Sequence, residues 1–166
     1  SYPQMDVITA QNVCAHTPNP LDFLEGVKQA LTVNGTAYIQ TSQSQMYQRN
    51  EFDTTYHEHI SFFSANSMNT LAKRAGLVLT DIEITPIHGD SYVFVLKHEG
   101  ADVKSSVTET IRKEGTEGRH NSMFYKQFGI NAESIVRKLK DLVTKCQAEG
   151  TPVVGYGAAA KGMTVL

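Results

Sequence analysis

Apolar and polar positions in the first forty residues follow first a strand period, then a helix period, then a strand period again. Residues 5–13 and 36–41 are predicted strands, and the imperfect alternation of the first predicts a strand covered on both faces, as in a parallel sheet. Between them, Asn19 and Pro20 predict a helix start, and residues 34–35 predict its end. This succession predicts half of a doubly wound α/β sheet.

The pattern between residues 64 and 100 predicts one more helix and two more strands. The helix is expected to run from Ser64 or Asn66 to Ala75, with a glycine after it. Residues 77–84 and 91–97 are then predicted to pair as antiparallel strands around a turn. The sheet is therefore expected to end in an antiparallel pair.

After residue 100 the pattern becomes helical. A short helix is expected to end near Gly115, and a longer one carries apolar residues at alternating spacings of three and four: Tyr125, Phe128, Ala132, Ile135, Leu139, Leu142 and Cys146. Such a stripe packs on its own domain or on a sister subunit, and the helix could also connect two lobes. Pro152–Tyr156 is predicted to be a strand that enters a glycine turn at Gly157, which is a weak phosphate-binding pattern.

These elements divide the chain into residues 1–100 as an α/β half-domain, 101–150 as a helical connector and 151–166 as the start of a second α/β domain. The chain begins almost directly in a predicted strand and stops where a helix is predicted to start, so we expect it to be a fragment of a larger protein.

Composition narrows the class of protein. The chain has 166 residues, of which 40% are hydrophobic and 19% charged, with a formal net charge of −2. It is therefore expected to be globular, and the absence of a basic field argues against nucleic-acid binding.

No apolar run approaches the roughly 18 residues of a membrane span, and no signal peptide is recognisable, so a cytoplasmic protein without a membrane partner is expected. Cys14 and Cys146 are expected to be buried free thiols.

The candidate chemistry is concentrated in residues 52–64, where Tyr56, His57, Glu58 and His59 are consecutive and aromatic residues flank them. The segment follows the second strand, which places it at the carboxyl edge of the sheet, where ligands bind in open α/β folds. Acid–base chemistry is the favoured interpretation, because histidine accepts protons near neutral pH. Two alternatives stay open: histidines that only form loop hydrogen bonds, and a metal site, for which the spacing is unfavourable.

Other polar residues are weaker candidates when taken alone. His16 follows the first strand and is expected at the same sheet edge as His59. His88 and Ser91 lie in the predicted hairpin turn and could contact a ligand, and Lys161 could pair with a phosphate. His98 and His120 are expected to be surface residues.

Three segments in this order resemble one family: residues 52–64, the turn His88-Gly89-Asp90-Ser91, and residues 156–162. The opening residues up to His16 fit the same pattern. They resemble the S-adenosylmethionine-dependent sugar C-methyltransferases that act on nucleotide-linked 4-keto-deoxysugars. The resemblance implies that the chain is the second half of a class I methyltransferase sheet, followed by a long helix and the first strand of a Rossmann-like domain.

The resemblance also implies functional roles. His59 would remove the C3 proton of the sugar to form an enolate, Tyr56 and Glu58 would orient the sugar, and His16 would lie in the same pocket. The nucleotide-sugar would be held by residues of the second and third segments: His88, Ser91, Tyr156, Gly157 and Lys161. Asn12 would contact S-adenosylmethionine. No metal takes part, since zinc in this family belongs to a separate N-terminal domain.

The sequence departs from the family in several places. Asp90 replaces the second glycine of a His-Gly-Gly-Ser turn, and Met163 stands where asparagine is typical. The glycine-rich loop that binds most of S-adenosylmethionine and the zinc-ligand cysteines are not found, so the chain is expected to lack most of the donor site. The alternative hypothesis is a non-catalytic assembly module, with the long helix as a homodimer interface. His57 has no assigned role.

Overall fold

The computed structural model describes residues 3–42, 45–87, 90–157 and 161–164. Within them the chain forms two compact units, residues 1–45 with 58–117, and residues 46–57 with 118–166. In chain order the elements are β1 (Met5–Gln11), a 3₁₀ helix (Cys14–His16), α1 (Pro20–Ala30), β2 (Leu31–Thr41), α2 (Met46–Arg49), a 3₁₀ helix (Phe52–Thr54), α3 (Ala65–Arg74), β3 (Leu77–Thr85), β4 (Ser91–His98), α4 (Ser105–Thr116), α5 (Ser122–Ala148) and a 3₁₀ helix (Gly162–Thr164).

The first unit is built on one four-stranded sheet in the order β1-β2-β4-β3. β1 and β2 are parallel, whereas β4 runs antiparallel to both β2 and β3. The predicted α/β half-sheet that ends in an antiparallel pair is therefore confirmed. Because β4 runs against β2, the turn that precedes Ser91 lies at the same edge of the sheet as the carboxyl end of β2, where Thr41 pairs with Tyr92.

Local signals set the starts of the helices as the sequence predicted. The Asn19 side chain accepts a hydrogen bond from the Asp22 backbone N–H at 3.3 Å at the start of α1. Ser64 and Ser67 form a reciprocal capping box at the start of α3. Gly76 ends that helix with φ at 71°, a conformation that glycine adopts at no steric cost.

The boundary between α1 and β2 differs from the prediction. The helix ends at Ala30 rather than at residues 34–35, and β2 already begins at Leu31. Leu31 is fully buried in the core and pairs with Met5 across the sheet. Gly35 is needed for close packing, since a Cβ there would meet the Leu31 Cδ1 atom at 2.7 Å.

The core lies on one face of the sheet. Along β2, Ala37 and Ile39 are fully buried, whereas Tyr38 between them is 36% exposed. The buried cluster joins these strand residues to helices α1, α3 and α4. The expectation that the first strand is covered on both faces is wrong, because most side chains of β1 are exposed and the strand ends at Gln11. Only one face of the sheet meets helices within this unit.

The second unit is organised around the first half of α5. The Tyr47 ring of α2 contacts three aromatic rings of α5, those of Phe124, Tyr125 and Phe128, at centroid distances of 5.2–5.5 Å. The Arg119 guanidinium lies 5.8 Å from the centre of the same Tyr47 ring, within the range of a cation–π contact. The predicted long helix is confirmed, and the start of its apolar stripe packs on Tyr47.

The predicted strand at Pro152–Tyr156 is not formed, because residues 151–157 have no regular secondary structure. Val154 is 88% exposed and the Tyr156 side chain is fully exposed. A strand needs a neighbouring backbone to satisfy its N–H and C=O groups, and these exposed residues have none among the described parts of the chain. Within those same parts, no helix is long and apolar enough to cross a membrane.

The two cysteines are free thiols. Cys14 is completely buried within the hydrophobic core, and burial raises the pKa of its thiol to about 12, because the thiolate is poorly solvated there. Cys146 is half-buried on α5. The Cys14 thiol is therefore a structural residue rather than a nucleophile.

Candidate functional site

Two histidines meet at the carboxyl edge of the sheet. His16 lies at the end of the 3₁₀ helix that follows β1, and His59 lies in the segment before α3. Their ring centroids are 4.9 Å apart with the planes tilted by 45°. The sequence predicted this proximity from the positions of the two residues after parallel strands.

Backbone contacts hold the His59 segment against the His16 helix. The Ala15 carbonyl accepts hydrogen bonds from the Ile60 N–H at 2.9 Å and from the Ser61 N–H at 3.1 Å. The Nδ1 atom of His16 lies 2.7 Å from the Glu58 backbone carbonyl oxygen. Since a carbonyl can only accept, Nδ1 carries the proton, and in neutral His16 the Nε2 atom carries the lone pair.

The surroundings of His59 are aromatic on one side. The Phe62 ring lies edge-on to His59 with a centroid distance of 6.0 Å. Next to this pair is an open, mostly apolar groove between the start of α1 and α3, lined by Phe62, Phe63 and Leu71 with Arg74 at its border. His59 is half-buried, which suits a group that must exchange a proton with a ligand.

Tyr56 and His57 belong to the second unit, whereas Glu58 and His59 belong to the first. The Tyr56 and His57 rings are in edge contact at 6.1 Å. Within the first unit the Glu58 side chain is exposed, and it is the Glu58 backbone carbonyl that contacts His16. Across the described residues no three His, Cys, Asp or Glu side chains converge as a metal site would require.

The residues predicted to bind the nucleotide-sugar are distributed between the two units. Ser91 is buried at the start of β4, and its hydroxyl donates to the Ile87 carbonyl at 2.8 Å. Tyr156, Gly157 and Lys161 lie in the second unit, where Gly157 has φ at 136°. The prediction for His88 falls outside the described residues.

Buried polar atoms without partners are concentrated at the same sheet edge. In the described part of the chain three such side-chain atoms exist: Asn12 Oδ1, Gln40 Nε2 and Thr41 Oγ1. Asn12 directly follows β1, and the other two end β2. A buried polar atom without a hydrogen bond costs about 1–3 kcal/mol, so three at one edge are typical of a ligand site. Sequence reasoning missed Gln40 and Thr41, which look like ordinary strand residues.

Backbone strain marks the edge as well. Asn12 has φ at 53° and Asp90 has φ at 73°, in the left-handed region that favours glycine. Asp90 is the residue that replaces the second glycine of the family's turn. The positive φ of Asp90 explains why glycine is suited to this position, and a residue with a Cβ is expected to adopt it at an energetic cost.

Asp90→Gly is expected to raise the free energy of unfolding by about 0.5–1 kcal/mol, because it relieves the unfavourable contact of Cβ in the left-handed conformation. Asp90→Ala keeps the Cβ and should not stabilise the protein. Urea denaturation of both variants checks this expectation. If alanine were as stabilising as glycine, backbone conformation would not be the cause.

Comparison with known proteins shows which families the chain resembles. Residues 3–82 match a methyltransferase domain model, and residues 86–166 match the model of a C-methyltransferase C-terminal domain. The chain is 32% identical over 155 residues to the C-methyltransferase NovU of Streptomyces niveus. This match covers 92% of the chain and 37% of the relative, so the chain spans just over a third of the length of that protein.

Solved structures resemble the chain only distantly. A pericyclic reaction enzyme has a TM-score of 0.49 at 11% identity. LepI, in complex with SAH and a substrate analogue, has a TM-score of 0.47 at 12% identity. Each covers 58% of this chain and 27% of the other, and this likeness is too low to bear on function. The two family models together span nearly the whole sequence. The chain is therefore similar to methyltransferases in its first half and to C-methyltransferases in its second half, and the NovU match spans both.

Proposed function

We propose that the protein transfers a methyl group to C3 of a nucleotide-linked 4-keto-deoxysugar, with His59 as the base. The observation that carries this proposal is the His16–His59 pair, 4.9 Å apart at the carboxyl edge of the sheet. It is supported by the match to the C-methyltransferase C-terminal domain model and by the similarity to the C-methyltransferase NovU. The Tyr56–His59 motif resembles that of enzymes acting on such sugars.

The proposed chemistry begins with proton removal. A proton on the carbon next to a ketone is acidic enough for an imidazole base when the developing enolate is stabilised by hydrogen bonds. His59 takes the C3 proton, and the electron pair of the broken C–H bond forms the enolate. That carbon would then form the new C–C bond with the donated methyl group while the bond from that methyl group to the donor's sulfur breaks, and the sulfur would keep the electron pair as a neutral thioether. His16, with its proton held on Nδ1 by the Glu58 carbonyl, keeps a fixed tautomer beside the base.

The other roles follow from the resemblance. Tyr56 and Glu58 orient the sugar. The nucleotide part is held by five further residues: His88, Ser91, Tyr156, Gly157 and Lys161. These assignments are proposals that substitution of each residue can test separately, as changes in the KM for the nucleotide-sugar.

S-adenosylmethionine, the expected donor, supplies an electrophilic methyl group when bound. Asn12 fits this ligand, since its Oδ1 atom is a buried acceptor that has no partner within the described residues and lies directly after β1. It could accept a hydrogen bond from an N–H or O–H group of the donor. The other unpartnered atoms, Gln40 Nε2 and Thr41 Oγ1, are neutral and suit hydroxyl or carbonyl groups of a sugar better than phosphates, which favour cations.

The test is a product analysis with the full-length protein. A dTDP-4-keto-6-deoxysugar is incubated with methyl-¹³C-labelled S-adenosylmethionine, and NMR locates the labelled methyl group. The proposal predicts a methyl carbon bonded to C3 of the sugar. A label on oxygen, or failure to methylate any nucleotide-linked keto sugar, would overturn it.

A second candidate function, assembly of a homodimer, is favoured by the far half of the α5 stripe. Ile135, Leu139 and Leu142 are 39–58% exposed, although the heptad spacing would place them in a helix–helix seam. Unlike the start of the stripe, none of these three packs in a buried core. The helix is therefore a proposed dimer interface.

Leu139→Asp is expected to dissociate such a dimer, because a carboxylate would be buried at the seam. Thr144→Asp introduces the same charge at an exposed position off the stripe and serves as the control. Sedimentation equilibrium checks both variants. A wild-type chain that sediments as a monomer would contradict the interface.

A further inference from the structure

Glu114 is a carboxylate buried in the core-facing side of α4. Its side chain follows Val107 and Ile111 at spacings of four and three, which places all three on one helix face. Val107 and Ile111 pack in the hydrophobic core, and Glu114 is only 1% exposed. Burial of a carboxylate is costly unless hydrogen bonds compensate for the lost water. Glu114 is therefore expected to accept hydrogen bonds from neighbouring elements.

These contacts join three elements. The Oε1 atom accepts hydrogen bonds from the Ala65 backbone N–H at 2.9 Å and from the Tyr92 hydroxyl at 3.1 Å. The Oε2 atom accepts one from the Asn66 N–H at 3.4 Å. Ala65 and Asn66 open α3, where N–H groups lack partners within the helix and the dipole favours a negative charge. Glu114 therefore anchors the start of α3 to α4 and β4.

The anchored helix start lies a short distance along the chain from His59. Between that histidine and the helix start, the Ile60 and Ser61 N–H groups donate to the Ala15 carbonyl. The segment that directly follows His59 is thus held next to the histidine by the His16 helix and at its far end by Glu114. Between these two anchors only Phe62, Phe63 and Ser64 remain, and Phe63 is itself buried.

We propose that Glu114 is a positioning residue that sets the place of His59 relative to His16, acting through the start of α3. This inference rests on the proposed function only in giving His59 the role of base. The proposal gives α4 a role in positioning His59, and α4 lies in the segment matched by the C-methyltransferase C-terminal domain model. A displacement of about 1 Å at a reacting group can cost roughly 10²-fold in rate.

Glu114→Gln tests the proposal. Glutamine has nearly the same shape, but it removes the charge. Its amide oxygen can still accept at one of the two carboxylate oxygen positions, whereas the NH₂ group at the other position cannot accept a hydrogen bond. Glu109→Gln is the matched control, with the same substitution on the same helix at an exposed position. Tyr92→Phe removes only the hydroxyl contact with Glu114 and should change the same measurements in the same direction by a smaller amount. It replaces Glu114→Gln in the test if that variant does not fold.

The first readout needs no substrate. Amide hydrogen exchange of Ile60 and Ser61, whose N–H groups bind the Ala15 carbonyl, is compared by NMR together with the His59 and His16 ring signals. We expect Glu114→Gln to speed exchange at both amides about tenfold, which corresponds to a decrease of about 1.4 kcal/mol in the free energy of local opening. We also expect it to shift the His59 ring signals. Glu109→Gln should change neither. Unchanged exchange and ring signals in Glu114→Gln or Tyr92→Phe would overturn the proposal.

The second readout is catalytic and uses the full-length protein. Glu114→Gln should lower kcat about 10- to 100-fold and leave the KM for the nucleotide-sugar nearly unchanged. A purely structural role would lower the melting temperature but leave kcat per folded molecule intact, and that result would also overturn the proposal. If the wild-type protein transfers no methyl group, the proposed function fails, and the exchange measurement decides the positioning role alone.

Discussion

His59→Ala is expected to slow methyl transfer by the full-length protein about 10²- to 10⁴-fold, the usual contribution of a general base. The reason is that no other side chain would take the C3 proton as directly. His16 lies beside His59 and still has a lone pair on Nε2, so any rate that remains in His59→Ala would be ascribed to that ring and should disappear in a His16→Ala, His59→Ala double variant. The measurement is kcat under saturating methyl donor, with binding of the nucleotide-sugar followed separately by calorimetry.

His120→Ala is the control for this experiment, since His120 is exposed and has no role in the proposed site. Binding of the nucleotide-sugar to His59→Ala should stay within a few-fold of the wild-type value, because a base acts in the transition state more than in the ground state. A variant that retained full turnover would remove His59 from its role. A variant that lost binding and turnover equally would indicate a binding residue instead.

Phe94→Ala is expected to lower the free energy of unfolding by about 3–5 kcal/mol, a large part of the 5–15 kcal/mol typical of a small domain. Phe94 has no exposed surface and lies on β4, the strand between β2 and β3. Its neighbours across the sheet are Ile39 and Ile82, so the substitution leaves a cavity at the centre of the core. Urea denaturation of the chain checks the expectation.

Tyr38→Ala is the matched control for the core, because Tyr38 lies on the opposite face of the same sheet and is 36% exposed. Tyr38→Ala should lower the free energy of unfolding by less than about 1 kcal/mol, the range measured for substitutions at strand positions. If both substitutions destabilised the protein equally, the core would not be confined to the face that carries α1, α3 and α4.

Local chemistry in the sequence was enough to predict most of the elements. The Asn19 cap, the Ser64 start and Gly76 each act on neighbouring backbone groups, so their effects could be read along the chain. The carboxyl-edge position of His16 and His59 followed from the order of the strands. The start of β2 could not be predicted, since Leu31 fits a helical stripe and becomes a strand residue only by pairing with Met5.

Long-range contacts explain what sequence reasoning missed in the site. Glu114 carried one readable signal, a charged residue at the spacing of Val107 and Ile111 on an apolar helix face. Its partners on α3 and β4 are distant in sequence and could not be named. Thr41 and Gln40 carried no signal, because only the structure shows that their polar atoms are buried without partners. The role of His57, which is exposed and contacts the Tyr56 ring, stays unassigned.

The most direct test of the central claim is the fate of the hydrogen on C3 of the sugar. A nucleotide-linked 4-keto-deoxysugar with deuterium at C3 is supplied to the full-length protein with S-adenosylmethionine, and the mass of the methylated product is measured. The account predicts loss of the C3 deuterium with each methyl group transferred, because the base must remove it before the carbon bond forms. A methylated product that keeps the C3 deuterium would contradict the account.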